Sequence, residues 1–118
     1  MRRHTEKMRT ETVLQGLGAR ELAPGAAEEF DGVYAGDLLS RAMSHIEADN
    51  LWVTIMSNVN VVAVASLTEA AAVILAEGVT MTDDVLAAAR QKGVAIYTCD
   101  MTVYEICAAI SSLCEAGL

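Results

Sequence analysis

From residue 50 onward, short apolar runs rich in β-branched residues alternate with segments of helical pattern, and this alternation constrains the fold most strongly. The three runs are residues 51–56, 71–76 and 94–98. Strands that are apolar at successive positions are typical of a sheet covered on both faces. Parallel neighbours in such a sheet need helical crossovers, which are almost always right-handed. The alternation therefore predicts an α/β fold, a three-layer α/β/α arrangement around a mostly parallel sheet.

Helix signals lie between and after these runs. Thr82 can cap a helix that has acidic residues in its first turn, and Gly93 can end it. Thr102 and Glu105 have the spacing of a capping box ahead of a C-terminal helix. Residues 57–68 are ambiguous, because their valines favour a strand whereas their alanines and their position favour a crossover. We predict a helix there that opens near residue 58.

The first half of the chain carries weaker signals. Thr10 to Leu17 is predicted to form a short helix closed by Gly18, and residues 19–23 a first strand. Residues 32–35 are predicted to add another strand. A helix is predicted from Asp37 to Ile46, and the side chains expected to face inward are those of Leu38, Leu39, Ala42, Met43 and Ile46.

Length and charge narrow the class of protein. The 118 residues fit a single domain, in which we expect residues 1–9 to be mobile. Residues 1–20 carry five basic and two acidic side chains, whereas residues 21–118 carry three basic and fourteen acidic ones. Such an acidic body is unsuited to nucleic acid. The longest apolar run has seven residues, so we expect no membrane span, no signal peptide and a cytoplasmic location.

Catalytic and metal-binding patterns are sparse. The sequence has no phosphate-binding loop, dinucleotide fingerprint, zinc-protease motif or nucleophile elbow, and its three cysteines lack metal-ligand spacing, so no cofactor or metal is expected. Cys99 precedes Asp100, and a neighbouring carboxylate disfavours the thiolate that nucleophilic chemistry needs. A small acid/base enzyme remains an alternative only if Asp37, His45 and Asp100 converge in a cleft.

A candidate binding site follows from the strand order instead. The carboxyl ends of parallel strands share one edge of a sheet, where ligands commonly bind. Two explanations fit the polar residues at this edge: contact with a ligand, or helix capping by Asn58 and Asp100. The residues predicted to bind a ligand are Ser57, Asn58, Asn60, Glu77, Gly78 and Asp100.

From about Val33 to Leu113 the chain resembles a DRTGG domain. The resemblance is carried by residues 36–40, 43–45, 51–55, 60–67, 73–75, 100 and 104–105. It implies a fold like the N-terminal domain of HPr kinase/phosphorylase, used for regulation and dimerisation and lacking accepted catalytic residues. The family occurs as small stand-alone proteins and as a regulatory module of phosphotransacetylases and CBS-domain pyrophosphatases.

The chain departs from that family at its eponymous positions. Ser57-Asn58 stands where many members have aspartate-arginine, and Ala76-Glu77-Gly78 stands where they have threonine-glycine-glycine. The missing arginine argues against phosphate or nucleotide binding, since a guanidinium is the natural partner of an oxyanion and Glu77 would repel one. We therefore expect a non-catalytic regulatory or interaction domain, dimeric in the family's manner, that senses a small ligand or binds a partner protein of a metabolic or redox system.

Overall fold

A computed structural model describes residues 8–115 of the chain. Its elements, in order, are β1 Met8–Arg9, α1 Thr10–Leu17, β2 Arg20–Ala23, β3 Glu29–Phe30, β4 Val33–Ala35, α2 Leu39–His45, β5 Leu51–Thr54, α3 Val59–Thr68, β6 Ala72–Leu75, α4 Asp83–Lys92, β7 Ile96–Thr98 and α5 Val103–Glu115. Every predicted helix and strand is present, although each of the three strands predicted from an apolar run is two residues shorter than that run. Within residues 8–115, no helix has the length and apolar character needed to cross a bilayer.

Five strands form one sheet in the order β2-β7-β6-β5-β4. β4, β5, β6 and β7 are parallel, and each is the neighbour of the next along the chain. Helices α2, α3 and α4 connect these strands and pack side by side on one face, while α1 and α5 pack together on the other. The prediction of a three-layer α/β/α fold with a mostly parallel sheet is confirmed.

The central strands are buried on both faces because their side chains alternate between two cores. Trp52 and Val73 belong to the core under α2, α3 and α4. Leu51, Val53 and Ile74 belong to the core under α1 and α5. All five are fully buried. Each central strand therefore needs an apolar side chain at every position, which is why an uninterrupted apolar run in the sequence predicts such a strand.

Local signals set most helix ends as predicted, but the predicted cap of α4 by Thr82 is wrong: Thr82 occupies the N-cap position, and its hydroxyl donates to the Asp84 carboxylate instead of accepting from a backbone N–H. The side chain of Asn58 accepts a hydrogen bond from a backbone N–H in the first turn of α3. Gly18 and Gly93 end α1 and α4 in the left-handed conformation, with φ of 66° and 69°. Thr102 and Glu105 form a reciprocal capping box: the Thr102 N–H donates to Glu105 Oε1 at 2.9 Å, and the Glu105 N–H donates to Thr102 Oγ1 at 3.1 Å.

Two predictions about α2 are wrong. The helix begins at Leu39 rather than Asp37, with Leu38 at its N-cap position. Leu38 is 64% exposed because it precedes the helix, and Met43 is 44% exposed because it lies at the margin of the inward stripe. Ala42 and Ile46 are buried, as predicted.

The N-terminal part contains pairings that the sequence did not reveal. β2 runs antiparallel to β7 at one edge of the sheet. β1 pairs with β3 in a separate two-stranded ladder, with Met8 opposite Phe30. Met8 and Arg9, which we predicted to be part of a mobile segment, are therefore paired, and the remainder of that segment lies outside the described residues.

Candidate functional site at the carboxyl edge of the sheet

The loops that follow β5, β6 and β7 lie at one edge of the sheet, because these strands are parallel neighbours. Ser57 and Asn58 follow β5, Glu77 and Gly78 follow β6, and Asp100 follows β7. A direct contact joins two of these loops: the Gly78 N–H donates to the Cys99 carbonyl at 2.9 Å.

Asn58 and Asn60 occupy the first turn of α3. The Asn58 Oδ1 atom accepts a hydrogen bond from the Asn60 backbone N–H at 2.9 Å, so Asn58 caps the helix. Both side chains are exposed, and Ser57 beside them is partly buried. Within residues 8–115 the Asn60 amide makes no side-chain hydrogen bond, which leaves its donors and acceptor available to a ligand.

Glu77 and Gly78 form a tight turn after β6. Their φ angles are 59° and 71°, and the Val79 N–H donates to the Ala76 carbonyl at 3.1 Å, which is the pattern of a type I′ turn. The Glu77 and Gly78 N–H groups donate to the carbonyls of the loop after β7, each at 2.9 Å. These two amides are therefore used within the protein, and a ligand at this turn would meet the Glu77 carboxylate rather than backbone donors.

Asp100 does not cap α5, because that role belongs to Thr102. Its carboxylate is exposed, and within the described part of the chain it has no hydrogen bond or ion pair. Helix capping therefore explains the presence of Asn58 at this edge, but it does not explain the presence of Asp100.

Asp37 serves the fold at the same edge. Its Oδ1 atom accepts hydrogen bonds from Thr54 Oγ1 at 2.7 Å and from the Ile55 N–H at 3.0 Å. Thr54 Oγ1 in turn accepts the Met56 N–H at 3.2 Å. These hydrogen bonds connect the loop after β4 to the end of β5, where Thr54 is fully buried.

The acid/base alternative needed Asp37, His45 and Asp100 in one cleft. His45 is the last residue of α2, about 9 Å along the helix axis from its first residue and away from the carboxyl edge. Its Nδ1 atom lies 2.9 Å from the Arg41 carbonyl oxygen, and its ring stacks on that of Tyr34. Within residues 8–115 it makes no hydrogen bond or ion pair with a carboxylate, so this alternative lacks the arrangement that it requires.

The cysteines occupy packing positions. Cys99 is buried, and its Sγ atom donates to the Leu17 carbonyl at 3.4 Å. Cys107 and Cys114 are partly buried on α5, and burial raises the pKa of the Cys107 thiol. A raised pKa and low exposure are the opposite of what a nucleophilic thiol needs.

The charge of the edge is negative. Asp37, Glu77 and Asp100 contribute carboxylates, and the loops at 36–38, 55–58, 76–80 and 99–102 contain no lysine or arginine. Within residues 8–115 no three His, Cys, Asp or Glu side chains are grouped as metal ligands would be. The edge can therefore offer amide, hydroxyl and carboxylate groups to hydroxyls, amines or amides of a ligand, but it offers a phosphate no side-chain cation.

An open, mostly parallel sheet with polar loops at its carboxyl edge is an arrangement that α/β domains use to bind small molecules.

No protein-family model matches the chain, and no curated protein sequence matches it.

Among solved structures, it is similar to the CBS and DRTGG domains of the regulatory region of Clostridium perfringens pyrophosphatase, complexed with the activator diadenosine tetraphosphate. The TM-score is 0.73 at 13% identity, and the match covers 86% of this chain and 45% of that one. The chain thus spans less than half the length of that regulatory region and shares its α/β fold.

Proposed function

We propose that this chain is a non-catalytic regulatory domain of the DRTGG type that binds a small molecule at the carboxyl edge of its sheet. The observation that carries the proposal is the meeting of three loops there, which leaves the Asn60 amide and the Asp100 carboxylate exposed and without partners within residues 8–115. The likeness to a regulatory region that binds a nucleotide activator supports a sensing role. The proposed contact residues are Ser57, Asn58, Asn60, Glu77, Gly78 and Asp100.

The chemistry of the edge favours the nucleoside part of such a ligand. Carboxylates accept hydrogen bonds from ribose hydroxyls and from exocyclic amines, and an amide side chain can both donate and accept. Phosphate groups would face Glu77 and Asp100 without a compensating cation. Adenosine should therefore bind, whereas tripolyphosphate should not.

Calorimetric titration tests this proposal with three probes: diadenosine tetraphosphate, adenosine and inorganic tripolyphosphate. We expect Asn60→Ala and Asp100→Asn each to weaken binding of adenosine by about tenfold, the effect of losing one well-formed hydrogen bond to a buried ligand group. Gln91→Ala is the matched control, because Gln91 is an exposed amide near the C-terminal end of α4 and is not one of the proposed contact residues. Affinities that are unchanged in both site variants would exclude this edge as the binding site.

We further propose that the domain acts as a cytoplasmic homodimer and regulates a partner protein of a metabolic or redox system. Light scattering of the purified chain measures the assembly directly. A single mass near the 12.5 kDa of one chain, at concentrations well above those of the binding experiments, would contradict the dimer.

A further inference from the structure

Helix α3 is apolar on every side, including the side that faces away from the sheet. Val59 is 52% exposed and Leu67 is 70% exposed. Residues 50–68 contain no charged side chain, although 20% of the residues in the chain are charged. A surface helix ordinarily presents charged residues to water, and a helix that is apolar all round is ordinarily buried. The outer side of α3 therefore has the composition of a covered surface. Four residues of α3 are buried in the core beneath it: Val61, Val62, Val64 and Ala65.

The apolar side chains on the outer side of α3 form one ridge. Val59, Ala63 and Leu67 are spaced four residues apart, so they follow one another along the helix surface. Ala63 lies at the middle of the ridge, where its small side chain lets a second helix approach closely. The order large, small, large is the same from either end. Ridges of this spacing pack into each other at a crossing angle of about 50°. An antiparallel copy of α3 fits this ridge, because the Val59 end of one helix would meet the Leu67 end of the other.

α2 extends this apolar surface. It packs beside α3, and the exposed side chains of Leu38 and Met43 lie at its start and in its middle. We call the surface formed by Leu38, Met43, Val59, Ala63 and Leu67 the α2–α3 face. A stable interface takes about 800 Å² from each partner. That area is roughly an eighth of the 6404 Å² accessible surface, whereas the layer of α2, α3 and α4 holds about a quarter of the described residues. The layer is therefore large enough for a stable dimer.

Charge indicates what kind of molecule can cover this face. The chain has a net charge of −8, so contact between two copies at most surfaces would bring carboxylates together. α2 and α3 contain no acidic residue, and their ionisable side chains are those of Arg41 and His45. Two copies can therefore meet on the α2–α3 face without placing carboxylates of these helices in contact. A basic partner would instead be drawn to the acidic loops of the carboxyl edge.

We propose that a second copy of this chain covers the α2–α3 face, with the two α3 helices packed antiparallel about a two-fold axis close to Ala63. This inference rests on the homodimer in the proposed function and assigns its interface. Such an interface is isologous, because each copy contributes the same surface. It borders the carboxyl edge, since Asn60 follows Val59 in the first turn of α3.

Sedimentation equilibrium of the full-length chain and two lysine variants tests the interface. Leu67→Lys should raise the dissociation constant of the dimer at least tenfold, roughly, because it places a charge in an apolar contact. The variant should fold, since Leu67 is largely exposed in the single chain. Tyr104→Lys is the matched control: it adds the same charge at a 79% exposed position on α5, which packs on the other face of the sheet. It should change the dissociation constant by less than about twofold.

A cysteine cross-link tests the antiparallel crossing separately. Ala63→Cys would place two thiols next to the two-fold axis, within reach of the Cα separation of about 4–7 Å that a disulfide spans. Mild oxidation should then yield a covalent dimer at least about fivefold faster than with Tyr104→Cys, because the dimer holds the two thiols at a high effective concentration. The unsubstituted chain gives the background from Cys107 and Cys114, which are partly buried.

The outcomes separate this inference from the proposed function. A single mass near 12.5 kDa at about 1 mM chain, where a dimer with a millimolar dissociation constant would be half assembled, would refute the homodimer and this interface together. A dimer that persists unchanged in Leu67→Lys would refute the interface alone. Equal weakening by both lysine variants, or equal cross-linking by both cysteine variants, would also overturn it. Binding of adenosine is measured independently by calorimetry.

Discussion

Thr10→Val offers a sharp test of the energetics of buried hydroxyl groups, because two threonines in this fold have opposite hydrogen-bond environments. Thr10 is 4% exposed and its hydroxyl is unpartnered. Valine replaces that hydroxyl with a methyl group of similar size, and the helix propensities of valine and threonine are close. The variant therefore loses a buried polar group and no hydrogen bond. We expect the free energy of unfolding without ligand to rise by about 1–3 kcal/mol.

Thr98→Val is the matched substitution, and we expect it to change the free energy of unfolding in the opposite direction. Thr98 is fully buried, and its hydroxyl donates to the Val79 carbonyl at 2.6 Å. The same exchange there removes a hydrogen bond and leaves a carbonyl without its donor. The free energy of unfolding should fall by about 1–3 kcal/mol.

Urea unfolding followed by tryptophan fluorescence measures both effects. Trp52 is the single tryptophan and is fully buried, so its emission reports the loss of the core. For a domain of this size, each kcal/mol corresponds to roughly 4 °C in Tm. If Thr10→Val destabilised the protein as much as Thr98→Val does, the Thr10 hydroxyl would have to be paired in solution, and the expected gain in stability would be refuted.

Three further predictions concern other parts of the fold. Asn58→Ala should lower the free energy of unfolding by about 1 kcal/mol in urea titrations because it removes the cap of α3, whereas Asn60→Ala, at an exposed position, should change it by less than about 0.5 kcal/mol. Gly78→Ala should lower Tm by several degrees, roughly 1–2 kcal/mol, because its φ is 71° and the new Cβ would lie 3.2 Å from Asp100 Oδ1. The raised pKa of Tyr97 contributes stability that is fully present below the ordinary value of 10.0 and is lost as pH rises through the higher folded value; the free energy of unfolding should therefore fall as pH rises above 10.0, and less steeply in Tyr97→Phe.

The elements of this fold that could be predicted are those whose signals are local. The apolar runs around Trp52 and Ile74 identified central strands because both of their faces are buried. The end of α4 at Gly93 and the start of α5 at Thr102 depend on side chains within a few residues of the helix end. Such signals can be read from a single sequence because each is complete within one segment.

The elements that could not be predicted depend on partners far away in the chain. The antiparallel direction of β2 is set by its pairing with β7, which follows it by about seventy residues. The β1–β3 ladder consists of two-residue strands, too short for a period-two pattern to appear. A concave surface beside α1 brings together Thr10, Glu21 and Tyr97, three residues that no motif relates.

The carboxyl edge shows why an α/β topology can predict which loops meet but not what they bind. The parallel order of β5, β6 and β7 brings the loops together, and that order follows from the apolar runs. The fold itself then uses the backbone donors at that edge: Glu77 and Gly78 donate to the neighbouring loop, and the Asn60 N–H donates to Asn58. Recognition at the proposed site would therefore depend on side chains, chiefly the Asn60 amide and the Asp100 carboxylate. Because these groups favour hydroxyls and amines over anions, the proposed site is suited to the uncharged part of a ligand and not to the anions that such edges commonly bind.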